Sequence, residues 1–210
     1  MDYKKLISKL CESNNLHVME VCGTHTMAYS QSGLRSLLSS NITMLSGPGC
    51  PVCVTGESYI DAAIELINKH DVILASFGDM MRVKGSHESL NCLTHKRKNI
   101  AVIYSPLDVL NLAKKNKNKQ IVFFAVGFET TAPLIALAVK ATQKQGLNNL
   151  SFLTSLKLMP PILRRILNDN RNNIDGIICP GHVASVKGAD YFRFISEDFD
   201  IPAVICGFEA

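Results

Sequence analysis

Ile121-Val122-Phe123-Phe124-Ala125-Val126-Gly127-Phe128-Glu129-Thr130-Thr131 contains an unbroken apolar run that ends in a glycine and a polar turn. Six apolar residues without alternation fit a strand covered on both faces, as strands of parallel sheets are. The residues after Gly127, with Pro133 close behind, read as a turn into a helix. Runs of the same kind recur at Leu16–Val21, Ile42–Ser46, Asp71–Phe77, Ile100–Tyr104, Leu150–Ser155, Gly176–Cys179 and Ala203–Cys206. Segments of helical pattern lie between them, among them Tyr3–Glu12, Glu57–Asn68, Leu107–Lys115, Pro133–Lys144 and Pro161–Leu167. Alternation of strands and helices predicts an α/β fold with parallel sheets and crossover helices.

The polar stretch Lys114-Lys115-Asn116-Lys117-Asn118-Lys119-Gln120 breaks the chain into comparable halves. It reads either as a helix end with a solvated loop or as a domain boundary. Four strands on each side favour the boundary. The expectation is two small lobes facing each other across a cleft. The first covers residues 1–116; the second covers 117–210 and is incomplete at its C-terminal end.

The chain has 210 residues, 47% of them apolar and 19% charged, which is globular composition. The net charge of +4 is local, because Lys114, Lys115, Lys117 and Lys119 supply all of it. That argues against nucleic-acid binding, which needs a distributed basic surface. No window holds about 18 consecutive apolar residues, and Met1–Leu6 has no signal-peptide character. A soluble cytoplasmic protein is expected. Its 7 cysteines then point to metal or redox chemistry rather than to a disulfide framework.

Unusual residues gather after strands: Cys22-Gly23-Thr24-His25, Gly47-Pro48-Gly49-Cys50-Pro51-Val52-Cys53, Phe77-Gly78-Asp79, Gly127–Thr131, Cys179-Pro180-Gly181-His182 and Cys206-Gly207-Phe208-Glu209. Ligands of open α/β sheets bind at the carboxyl ends of strands. The Cys50-x2-Cys53 spacing suits one metal or a small disulfide. A helix opening near Cys53 would favour its thiolate; the bland alternative is two buried structural thiols. Cys22-x2-His25 followed by Cys50-x2-Cys53 is formally a Cys3His zinc spacing. The 24 residues between the pairs hold a helix and a strand, unlike a zinc ribbon. Glu129 reads as a carboxylate that orients a thiol, or as an acid beside a helix N-terminus. His182 carries the same ambiguity. Asp79 and Arg82 belong to a binding loop or to a capped connection. Cys11 and Cys92 receive no role; Cys179 and Cys206 end strands. Nucleotide-binding glycine motifs and a G-x-S-x-G elbow are absent from the sequence.

Met19–Thr26, Ser46–Thr55, Ser76–Arg82, Tyr104–Asp108, Phe123–Pro133, Pro180–Val183 and Gly207–Glu209 together resemble the HypD family of [NiFe]-hydrogenase maturation proteins. The resemblance implies a scaffold that binds iron and helps to assemble the Fe(CN)2CO centre, rather than an enzyme of ordinary turnover. It implies a HypC-type chaperone and a HypE-type cyanide donor as partners. Cys22 matches the family cysteine thought to hold iron, and Cys50 and Cys53 match its redox dithiol. His25, Thr24 and Glu129 lie in matching motifs as supporting groups. The family's C-terminal cysteines, which hold a [4Fe–4S] cluster, have no counterpart before Ala210, so that cluster is expected to be absent. Two readings from other classes remain: a thiol-disulfide oxidoreductase using Cys50 and Cys53, and a structural Cys3His zinc protein.

Overall fold

The computed structural model describes residues 15–94 and 99–208. The helix expected over Tyr3–Glu12, with Cys11, lies outside the described residues, as does Glu209. The strands are β1 (Leu16–Glu20), β2 (Ile42–Ser46), β3 (Val72–Phe77), β4 (Ile100–Ile103), β5 (Gln120–Gly127), β6 (Leu150–Leu156), β7 (Gly176–Pro180) and β8 (Ala203–Cys206). Each coincides with an expected run. The helices are α1 (Gly23–Gln31), α2 (Leu34–Leu37), α3 (Glu57–Lys69), α4 (Leu90–Thr94), α5 (Asp108–Lys115), α6 (Ala132–Lys144), α7 (Met159–Leu167), α8 (Gly181–Lys187) and α9 (Phe194–Phe199). In α3 the buried residues Ile60, Ala63, Ile64 and Ile67 follow the helical period and form one stripe.

The strands form two four-stranded sheets, ordered β2-β1-β7-β8 and β4-β3-β5-β6, with every pairing parallel. Taken in chain order within each sheet, both follow the pattern second, first, third, fourth. Both therefore reverse direction between their first and third strands. The crevice at the carboxyl ends of those two strands is where such sheets bind ligands.

The chain divides into two compact units, Met1–Cys50 with Leu158–Ala210, and Pro51–Lys157. The lobes are thus not consecutive, and the cut expected between residues 116 and 117 falls inside the second unit, between α5 and β5. Lys114 and Lys115 occupy the last turn of α5, beside its negative dipole end. The Asn149 amide then donates to the carbonyls of Ala113, Asn116 and Lys119 at 3.1, 3.0 and 3.1 Å. The polar stretch is a helix end and a fastened turn. Its charge reflects exposure and not a domain boundary.

In the second unit, β5 is buried from Ile121 to Gly127. One face of the sheet carries Leu74, Val122, Phe124 and Val126, in one core with the α3 stripe, Met80 and Met81. The other face packs Ala75, Ile121, Phe123 and Ala125 with Val109, Leu110 and Ala113 of α5 and Ile135 of α6. Helices on both faces explain the absence of alternation along β5. In the first unit, Met19 pairs with Ile177 in register, so Met19, Val21, Ile177 and Cys179 share one face, and all are buried. The opposite face carries Ser46, Glu20 and Ile178 side by side. Among the described residues no helix is long and apolar enough to cross a membrane.

Candidate functional site

The first unit's crevice is built around Cys22, which follows β1 directly. Val21 extends the β1–β7 pairing through its N–H to the Ile178 carbonyl at 3.1 Å. Cys22 is the N-cap of α1, with φ −158° and ψ 125°. Its carbonyl accepts the N–H groups of His25 and Thr26 at 2.8 and 3.3 Å. The residue is only 5% exposed.

A carboxylate lies beneath it. Glu20 ends β1 and is 1% exposed. Its Oε2 accepts the Cys22 N–H at 2.9 Å, and its Oε1 accepts the Thr26 hydroxyl. Sequence reading put Thr24 in a supporting role, but Thr24 is exposed and Thr26 makes the contact. Two residues further along a helix the side chain comes round to the strand end, and Thr24 points away. Glu20 itself was missed. Its signal is a charge inside the apolar run Val18-Met19-Glu20-Val21, where burial demands partners.

The Gly47-Pro48-Gly49 segment after β2 walls the same corner. The Gly47 N–H donates to the Glu20 carbonyl at 2.7 Å. A Cβ on Gly49 would lie 2.3 Å from Cys22 Cα and 2.5 Å from its nitrogen. Only glycine allows this approach, so the segment that carries Cys50 rests on the backbone of Cys22.

His25 is one turn further on and 6% exposed. Its Nε2 lies 3.0 Å from the Gly207 carbonyl and 3.2 Å from the Cys206 carbonyl. Carbonyls only accept, so Nε2 carries the proton and Nδ1 presents a lone pair. That Nδ1 is buried with no hydrogen-bond partner among the described residues. A ring N–H fixed on a carbonyl is the usual way a histidine is oriented to offer its other nitrogen to a metal. Phe208 stacks on His25 at 4.7 Å and on His182 at 5.0 Å, which gives His182 a packing contact. His25, Ala28, Tyr29, Met44, Ile178 and Phe208 line an apolar hollow of about 180 Å³.

The chain passes from the first unit to the second inside the Cys-x2-Cys motif, between Cys50 and Pro51. Neither cysteine is in a disulfide; Cys50 is half-buried and Cys53 is exposed. Cys53 does not open a helix. It lies in a turn, and α3 starts after the Gly56 N-cap. The dipole of α3 therefore does not act on Cys53 directly. Val52, between the thiols, packs against the second unit's core, and the Thr55 hydroxyl donates to the Pro51 carbonyl at 2.8 Å.

Glu129 belongs to the second unit, 3% exposed, in the turn after β5. Thr131, not Glu129, is the N-cap of α6, and Pro133 sits in its first turn. Asp79 accepts the Met80 N–H at 2.9 Å, and Met80 and Met81 are buried, so that loop is a capped connection anchored in the core. Cys179 is a core residue whose thiol is pushed up to about 12 by burial and by the neighbouring Cys206 thiol. Cys92 lies beside the Ser89 hydroxyl. Among the described residues no three His, Cys, Asp or Glu side chains converge on one metal position.

A family model described as HypD, hydrogenase formation hypA family, matches residues 2–210. The chain belongs to the HypD family. Its sequence is 42% identical over 194 residues to the hydrogenase maturation factor HypD of Rhodobacter capsulatus, spanning 92% of this chain and 52% of the relative. The Escherichia coli K12 hydrogenase maturation factor HypD is 41% identical over the same length, with the same coverage. A putative hydrogenase expression/formation protein of Methanocaldococcus jannaschii is 37% identical over 204 residues, 97% of this chain and 56% of the relative. This HypD-family chain thus spans about half the length of the curated relatives it matches. The Glu20–Cys22–His25 corner lies inside the matched region.

Proposed function

We propose that this chain serves in hydrogenase maturation as an iron-holding scaffold for assembly of the Fe(CN)2CO centre. The observation that carries the reading is the corner after β1. There a buried thiol stands at the strand-order reversal with an imidazole whose buried Nδ1 has no hydrogen-bond partner among the described residues. In this reading iron is the cargo. Cys22 holds it as thiolate, a soft ligand suited to low-spin iron. His25, oriented by the Cys206 and Gly207 carbonyls, supports the metal position, and Glu129 is a further supporting group in this reading. Cys50 and Cys53 form the redox dithiol of this reading. A HypC-type chaperone and a HypE-type cyanide donor are the expected partners, in the cytoplasm.

The test is co-purification with a HypC-type partner, iron quantification, and infrared spectroscopy for bound cyanide and carbon monoxide. Stoichiometric iron with both band sets is expected, and Cys22→Ala should remove them. Bands that persist in Cys22→Ala would overturn the reading. A second reading, a thiol-disulfide oxidoreductase, is favoured by one observation, the exposure of Cys53 outside any disulfide. Disulfide exchange with a small dithiol that is lost in Cys53→Ser but intact in Cys22→Ala would support it.

A further inference from the structure

Glu20 is a buried carboxylate with no ion pair to Lys, Arg or His among the described residues. Two neutral donors, the Cys22 N–H and the Thr26 hydroxyl, serve its oxygens. The positive end of the α1 dipole lies beside it, a fractional charge that offsets burial only in part. A buried charge without a counter-charge is costly, and native proteins pair it or set it against a metal. The Cys22 residue that Glu20 grips is also the thiol of the corner. One turn on, the His25 Nδ1 is buried and has no hydrogen-bond partner among the described residues. We infer that Glu20 is the fixed counter-charge of this corner: a positioning residue whose negative charge draws a divalent metal ion to Cys22. This inference rests on the reading of Cys22 as a metal-holding thiol.

Charge and scaffolding separate cleanly at this position. Gln has the shape of Glu. Its amide oxygen accepts the Cys22 N–H and its NH2 donates to the Thr26 hydroxyl, so both contacts survive while the charge is lost. The probe is cobalt(II), added anaerobically to the reduced chain and followed by the near-ultraviolet thiolate-to-cobalt charge-transfer band. Wild type is expected to show the band and Cys22→Ala to lose it. Glu20→Gln should bind at least about tenfold more weakly, a difference of about 1.4 kcal/mol, with far-ultraviolet circular dichroism unchanged and a urea midpoint no lower than that of wild type. Thr26→Val, which removes a hydroxyl and no charge, should bind as wild type does. An unchanged cobalt affinity in a folded Glu20→Gln overturns the inference and leaves the Cys22 reading standing. A wild-type chain without the band overturns both. If Glu20→Gln fails to fold, Glu20→Asp decides: it keeps the charge and should hold affinity within about threefold of wild type, and a larger loss in folded Glu20→Asp overturns the inference.

Discussion

Gly49→Ala tests the corner most directly. The added Cβ would lie 2.3, 2.5 and 2.8 Å from the Cα, N and C atoms of Cys22. Carbon contacts settle near 3.5–4.0 Å, so the two backbones must part by about 1 Å. Cys22 has nowhere to retreat. Its N–H is held by Glu20 and its carbonyl by His25 and Thr26. Overpacking of this kind costs about 1–3 kcal/mol, and one broken hydrogen bond adds about 1 kcal/mol. We expect a loss of about 2–4 kcal/mol, seen as a fall of about 1–2 M in the urea midpoint followed by circular dichroism. Iodoacetamide should also reach Cys22 faster, because its cover has been displaced. Gly23→Ala is the control. Nothing lies within 4 Å of its added Cβ, and the position opens α1. It should be neutral or stabilising by about 0.5 kcal/mol. A Gly49→Ala midpoint within about 0.3 M of wild type, with unchanged Cys22 alkylation, would refute the close approach.

Cys179 should stay unmodified when the folded chain is treated with iodoacetamide at pH 8 and mapped by mass spectrometry, whereas the exposed Cys53 should react. The same thiol predicts a pH effect. Its folded pKa of about 12 lies above the 9.0 of the free group, so the unfolded chain sheds this proton first. Stability should fall between pH 9 and 12, by at most about 1.4 kcal/mol per unit from this group. Urea midpoints that lose the same amount in Cys179→Ala would remove the attribution. Asn149→Ala deletes three hydrogen bonds to the carbonyls of Ala113, Asn116 and Lys119. A loss of about 1–3 kcal/mol in chemical unfolding is expected, and no change would show the turn to be held by other contacts. Ser76 has a buried hydroxyl without a hydrogen-bond partner among the described residues. Ser76→Ala should therefore be neutral or raise the melting temperature, and clear destabilisation would contradict that accounting.

The strands were legible because burial on both faces leaves a local trace. Ile121–Val126 could not alternate once α3, α5 and α6 covered the sheet. Pairing leaves no such trace. His17 and Asp175 exchange backbone and side-chain contacts across 158 positions, and neither sequence neighbourhood names the other. The division of the chain was misplaced for that reason: a lysine-rich turn is visible locally, and a return to the first sheet at Leu158 is not. At the site, Cys22 and His25 stood out by residue type. Glu20 did not, because a carboxylate reveals its importance through burial, and residue type alone does not carry the helical phase that turns Thr26 toward Glu20 and leaves Thr24 exposed.

The first unit is interrupted between Cys50 and Leu158, and this has a consequence for how the chain assembles. While the intervening segment is unfolded, β1 and β7 can pair only by closing a loop of roughly 160 residues, an entropy cost of about 4–5 kcal/mol. Folding of that segment shortens the flexible loop that must be closed. The inserted unit has all four of its strands within one continuous stretch and can form first. The unit that bears Cys22 is completed afterwards, when β7 and β8 have been synthesised. The thiol corner is complete only once β7 has reached β1 and Gly207 has reached His25.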